Sequence, residues 1–173
     1  MGQLKFYIMT ICLFVAGILL APKAYAQDIF EGQALTFGRF AVVDNSAPRQ
    51  IIVTTDDDVI YDTGIVGDPS NPGRRGEYTL TGMPANVIFY LGVNIPNPPA
   101  EGGVVLEETV PLTGLGSEDF TIGSFKINSN DQMVTDGNGD ATLYIGATLT
   151  TSGSGTHYVS DTYDGEFTIT FYY

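Results

Sequence analysis

The chain has 173 residues, a formal net charge of −13 and one cysteine. Residues 1–26 read as a removable export leader, and the remainder is the size of one ordinary domain that can bury a core without staples. The leader takes Lys5, Lys23 and Cys12 with it, so five cations face twenty acidic residues, and neither cysteine nor tryptophan is left. That composition excludes a disulfide framework, a thiolate zinc site and a cysteine nucleophile. It also argues against nucleic acid, whose phosphates need a basic footprint.

The leader is read from its three parts. Lys5 supplies a positive start, Phe6 to Leu20 is an almost unbroken apolar run, and Pro22 breaks it before Ala24-Tyr25-Ala26. Small residues at the −3 and −1 positions predict cleavage after Ala26, and the run is short for a membrane span. Cys12 lies within the apolar run with no lipidation box before it. The expectation is a protein secreted to the periplasm or cell surface of a Gram-negative bacterium, with no membrane span in the mature chain.

Gln27 to Ala34 (QDIFEGQA) reads as an N-terminal extension, and residues 35–173 as the folded domain. That domain is rich in Thr, Val, Ile, Tyr and Phe and is broken often by Gly, Pro, Asn and Asp, the signature of short strands between turns. The predicted strands are Leu35–Val43, Arg49–Thr55 with Asp58–Tyr61 as a partner, Glu77–Thr81, Val87–Val93, Val104–Leu112, Phe120–Ile127, Thr142–Thr150 and Glu166–Tyr173. Eight or nine short strands suit an antiparallel two-layer β-sandwich or a small barrel, and no helical crossovers for a parallel sheet are found. Two loops, Asp62–Gly76 and Thr150–Asp164, read as exposed and mobile because they are filled with Gly, Pro and Ser.

Few residues carry chemistry. Asp136, Asn138 and Asp140 alternate as the first ligands of a calcium loop do, which makes them the one metal candidate. The rest of that pattern fails, since Ala141 and Ala147 stand where the loop needs Gly and Glu. The plainer reading is a hairpin turn, because Asp-Gly and Asn-Gly supply positive φ angles. The acidic runs Asp56–Asp58, Glu107-Glu108, Glu118-Asp119 and Asp161/Asp164 select no pair for acid–base work and read as solvated surface. His157 is the only histidine and sits in a Ser/Gly-rich loop without a nucleophile elbow. No catalytic residue is assigned, and the chain is not expected to be an enzyme. At the C-terminus, alternation puts Phe167, Ile169 and Phe171 on one face, towards the core.

The stretches Leu35-Thr-Phe-Gly-Arg-Phe40, Tyr78-Thr-Leu-Thr-Gly-Met-Pro-Ala85, Gly139-Asp-Ala-Thr-Leu-Tyr-Ile-Gly-Ala-Thr-Leu149 and Tyr163-Asp-Gly-Glu-Phe-Thr-Ile-Thr-Phe-Tyr172 resemble, in order and spacing, the bacterial domain of unknown function 4402 family. Members of that family are exported and have no assigned enzymatic role. The closing strand is also similar to those of chaperone–usher and spore-coat-U-type pilin subunits, which implies an immunoglobulin-like antiparallel β-sandwich. What the resemblance implies is a structural or adhesive cell-surface protein, a pilin-like subunit of a fimbria-type assembly. Its partners would be like subunits or a periplasmic chaperone, met by strand addition. The expected interaction surface is the first and last strands: Ile29, Phe30, Phe167, Ile169 and Phe171. The alternative is a self-contained monomeric sandwich that binds calcium, carbohydrate or a protein partner.

Overall fold

The computed structural model describes residues 28–93, 103–106, 109–112, 120–128, 132–167 and 169–172, with the backbone alone for 90–93, 103–106, 109–112 and 169–172. Among them are thirteen strands and no helix. In chain order these are β1 (Asp28–Gln33), β2 (Thr36–Val42), β3 (Gln50–Val53), β4 (Val59–Tyr61), β5 (Ile65–Arg74), β6 (Gly76–Thr81) and β7 (Ile88–Val93). They are followed by β8 (Gly103–Leu106), β9 (Thr109–Leu112), β10 (Phe120–Ile127), β11 (Gln132–Val134), β12 (Ala141–Thr150) and β13 (Ile169–Tyr172).

The main sheet runs β1-β6-β12-β10-β9, with β3 also on β12 and β4 on β3. The ten-residue β12 is its spine. Its N-terminal half pairs with β6 and its C-terminal half with β3, while β10 follows the other edge. Leu143, Ile145, Ala147 and Leu149 alternate inward along β12 and are 2% exposed or less. Their cross-strand partners Tyr78, Ile127, Val53, Ile51 and Ile122 are buried beside them, so each rung contributes to one hydrophobic layer. Two smaller sheets, β2–β5 and β11-β7-β8-β13, complete the sandwich. Phe37, Ile65, Phe89 and Met133 carry their side of the same buried cluster.

Two bulges explain where simple alternation fails. In β10, Phe120 and Ile122 face inward, but so do Phe125 and Ile127, which are out of phase with them. The register shifts between Gly123 and Lys126, with Ser124 at φ 50°, and the extra residue resets the inward face. In β2 the shift lies between Gly38 and Phe40, so Phe37 is buried and Phe40 also packs against the core. Gly38 sits at φ 71°, and a Cβ there would come within 2.4 Å of the Asn71 carbonyl oxygen. Only glycine fits that approach.

Several sequence expectations need correction. The segment Asp62–Gly76 is not a mobile loop: most of it is β5, which pairs with β2 from Thr36↔Arg74 to Val42↔Ile65. Its prolines, Pro69 and Pro72, are tolerated because β5 has a neighbour on one side only. The run Val104–Leu112 is two strands in two different sheets. Gln27–Ala34, read as an extension, contributes β1, paired with β6 over five residue pairs. Among the described residues one pairing is parallel, β7 with β8, although a parallel arrangement was not expected. The strand count also exceeds eight or nine, because β1, β5 and β11 were not expected as strands and Val104–Leu112 is divided between two sheets. The leader and the acidic pairs Glu107-Glu108 and Glu118-Asp119 lie outside the described residues.

Candidate functional site

A cleft of about 950 Å³ lies between β2 and the strap of chain from Tyr158 to Gly165. Phe120, Ile122 and Leu149 line it from the main sheet, and Phe40 and Phe167 line it from the sides. The strap comes close to β2 because a cluster of rings holds it. Tyr158 stacks on Phe120 with centroids 4.1 Å apart, Tyr163 meets Phe120 edge-on at 4.8 Å, and Phe40 meets it edge-on at 5.5 Å. Offset and edge-to-face rings add about 0.5–1.5 kcal/mol per pair beyond the area they bury.

The loop that leads into the strap is also held, contrary to its Gly/Ser-rich appearance. Asn45 is buried and reaches across to it. Its Nδ2 donates to the Thr156 carbonyl at 2.8 Å and to Ser152 Oγ at 3.1 Å, while its Oδ1 accepts from the Gly153 N–H at 3.1 Å. The Gly155 N–H donates to the Asn45 carbonyl. Ser152 N–H donates to the Tyr158 hydroxyl at 2.7 Å, so loop and ring cluster fix each other. Thr151, also buried, receives the Arg49 N–H on its hydroxyl. Asp44, two positions before Ser46, completes this corner. The Ser46 N–H and hydroxyl, and then Arg49, hold its carboxyl down at about 2.

The cleft's rim is polar. Arg39 and Asn71 come from the paired strands β2 and β5, and Ser160, Asp161, Thr162 and Asp164 from the strap; all six are exposed. None of these residues was singled out as a site from the sequence, and Asp161 and Asp164 were read as acidic surface. The useful signal was the C-terminal crowding of aromatics, but nothing local says that Tyr158 and Tyr163 meet Phe120 and Phe40.

The sequence-derived candidates are placed as follows. Asp136, Asn138 and Asp140 share one turn. Asp136 Oδ1 accepts the Asn138 N–H at 2.8 Å and the Asp140 N–H at 2.9 Å, and these bonds lower its pKa, the Asp140 bond most. The turn closes through Asp136 N–H to the Asp140 carbonyl and Gly139 N–H to the Asp136 carbonyl. Among the described residues no three His, Cys, Asp or Glu side chains converge as a metal set. Ile29 and Phe30 lie on the edge strand β1 and are 45% and 57% exposed. They face opposite sides of the sheet, opposite Leu80 and Thr79. Phe167 is not presented outward: it packs against Phe125 at 5.3 Å and edge-on to Tyr78 at 6.4 Å. Ile169 and Phe171 pair with Leu106 and Val104 through the backbone of β13, and their side chains lie outside the described residues. The first and last strands are in different sheets. His157 is exposed in the held loop.

No curated protein and no solved structure matches this chain. A family defined as a domain of unknown function, DUF4402, matches residues 28–173, which is β1 through the last residue. The chain is therefore a member of the DUF4402 family.

Proposed function

We propose that this chain is exported through its N-terminal leader and serves as a structural or adhesive protein of the cell surface, a pilin-like subunit with immunoglobulin-like connectivity. The role is not enzymatic, and its partners are like subunits or a periplasmic chaperone. The observation that carries this reading is the state of β1. It is the first strand of the domain, lies at the edge of the main sheet, and exposes both Ile29 and Phe30. An edge strand with apolar side chains is a template for pairing with another chain, and native proteins usually blunt such edges. The test is the association state of protein expressed from the full sequence and recovered after export. It is measured by light scattering after size exclusion, with and without Ile29→Asp/Phe30→Asp. Oligomers that grow with concentration and vanish in the double variant are the expected result.

A second reading is favoured by a different observation. β1 is already paired with β6 of its own chain, and a cleft lies beside β2. Both suit a self-contained binding module for carbohydrate, calcium or a protein. A monomer indifferent to the double substitution would overturn the subunit reading in favour of this one.

A further inference from the structure

The cleft beside β2 combines two kinds of surface. Its walls offer the partly exposed rings of Phe40, Tyr158 and Tyr163. Its rim offers a guanidinium, an amide, hydroxyls and two carboxylates. A ligand that satisfies both must carry apolar C–H faces and a dense set of hydroxyls on one rigid frame, which is the chemistry of a sugar ring. Tyr is suited to such surfaces because its body is apolar and its tip is polar.

Charge narrows the class. The chain carries −13 overall, and the cleft's lining holds two carboxylates, Asp161 and Asp164, against one cation, Arg39. An anionic glycan would meet a repulsive field. Geometry narrows it again. A peptide added as a strand along β2 would have to cross the bulge between Gly38 and Phe40, where regular pairing is interrupted. On the opposite wall, residues 158–163 form no strand that could take its other edge. The volume, about 950 Å³, lies at the upper end for ligand sites and accommodates an oligomer rather than a single small group. The wall is also preorganised: the Phe120 stack and the Ser152 N–H fix the Tyr158 ring before any ligand arrives.

We propose that this cleft binds a neutral oligosaccharide, with Tyr158 and Tyr163 as the surface on which sugar rings lie and Arg39, Asn71 and Asp164 as hydrogen-bonding groups at the rim. The proposal rests on the binding-module reading and makes its ligand specific.

The experiment titrates the exported protein, produced from the full sequence, with maltohexaose, cellohexaose, mannohexaose and chitohexaose. Heparin serves as an anionic control and an extended apolar hexapeptide as a strand control. Binding is read by calorimetry and by tyrosine fluorescence. At least one neutral hexaose is expected to bind at a single site. Tyr163→Ala should weaken it about tenfold or more, and Tyr163→Phe should retain most of the affinity. Asn71→Ala, at an exposed rim position, should weaken binding several-fold with an unchanged unfolding temperature, which separates loss of contact from loss of fold. No neutral hexaose binding at millimolar concentration would overturn the proposal. Affinities equal in wild type and all variants would do the same, as would selective binding of heparin or the peptide. Light scattering on the same samples judges the binding-module reading separately: strand-exchanged oligomers refute that reading, whereas a monomer that binds no sugar refutes only the ligand assignment.

Discussion

Phe120 and Phe125 provide an internal comparison of what ring contacts contribute to this fold. Both lie on β10 and both are 2% exposed, so replacing either by Leu removes nearly the same transfer free energy and leaves a similar void. Their ring neighbours differ. Phe120 contacts Phe40, Tyr158 and Tyr163, whereas among the described rings Phe125 contacts Phe167 alone. At about 0.5–1.5 kcal/mol per aromatic pair beyond area burial, the two additional pairs make Phe120→Leu more costly than Phe125→Leu by about 1–3 kcal/mol. This is a large share of the stability of a single domain, typically about 5–15 kcal/mol. Urea unfolding followed by far-ultraviolet circular dichroism measures both losses, and equal m-values would establish that the denatured states are comparable. Near-ultraviolet dichroism of the tyrosines should change more in the Phe120 variant, since its ring orients Tyr158. Equal losses, or a larger loss at Phe125, would refute the claim that the ring cluster holds the strap against β2.

Two further predictions concern the turns and corners. Gly139 stands at φ 85°, and a Cβ there would lie 1.9 Å from the Met83 carbonyl oxygen. Gly139→Ala should therefore destabilise by about 2–4 kcal/mol, while Gly137→Ala, which meets nothing within 4 Å, should stay within about 0.5 kcal/mol; similar effects in chemical denaturation would count against the turn as described. For pH, the Asp44 carboxyl is lowered from its ordinary 3.8 to about 2 in the folded protein, by Ser46 first and Arg49 next. Its contribution to stability is thus present above about pH 4 and is lost as the pH falls towards 2. Asp44→Asn should flatten the dependence of the urea midpoint on pH in that window, and an unchanged slope would show that the Ser46 contacts do not persist in solution.

The lesson of the calcium candidate is physical. Asp136, Asn138 and Asp140 are spaced as ligands, yet the same spacing suits a carboxylate that accepts backbone N–H groups two and four residues on. Local pattern cannot separate the two, because both depend on which way one carboxylate turns. The interaction surface poses the opposite difficulty. Ile29 and Phe30 are legible as an apolar pair on a terminal strand. Whether Phe167 is presented or buried depends on Tyr78 and Phe125, which lie far from it in the chain.

Runs of strand formers between turn residues alone sufficed to place β10, β12 and the β3–β4 pair, and to identify the class as all-β, because strand propensity and turn chemistry are local properties. Family membership was likewise legible in the order of short motifs. The tertiary structure decided the rest. It made a strand of the proline-bearing β5 by giving it a single neighbour. It restored inward facing through the bulges at Gly38 and Ser124, and it immobilised a Gly/Ser loop on Asn45. The cleft belongs entirely to this second group. Its walls come from residues 35–42 and 158–167 and its floor from β10 and β12, and only long-range packing brings segments so far apart in the chain to face one another.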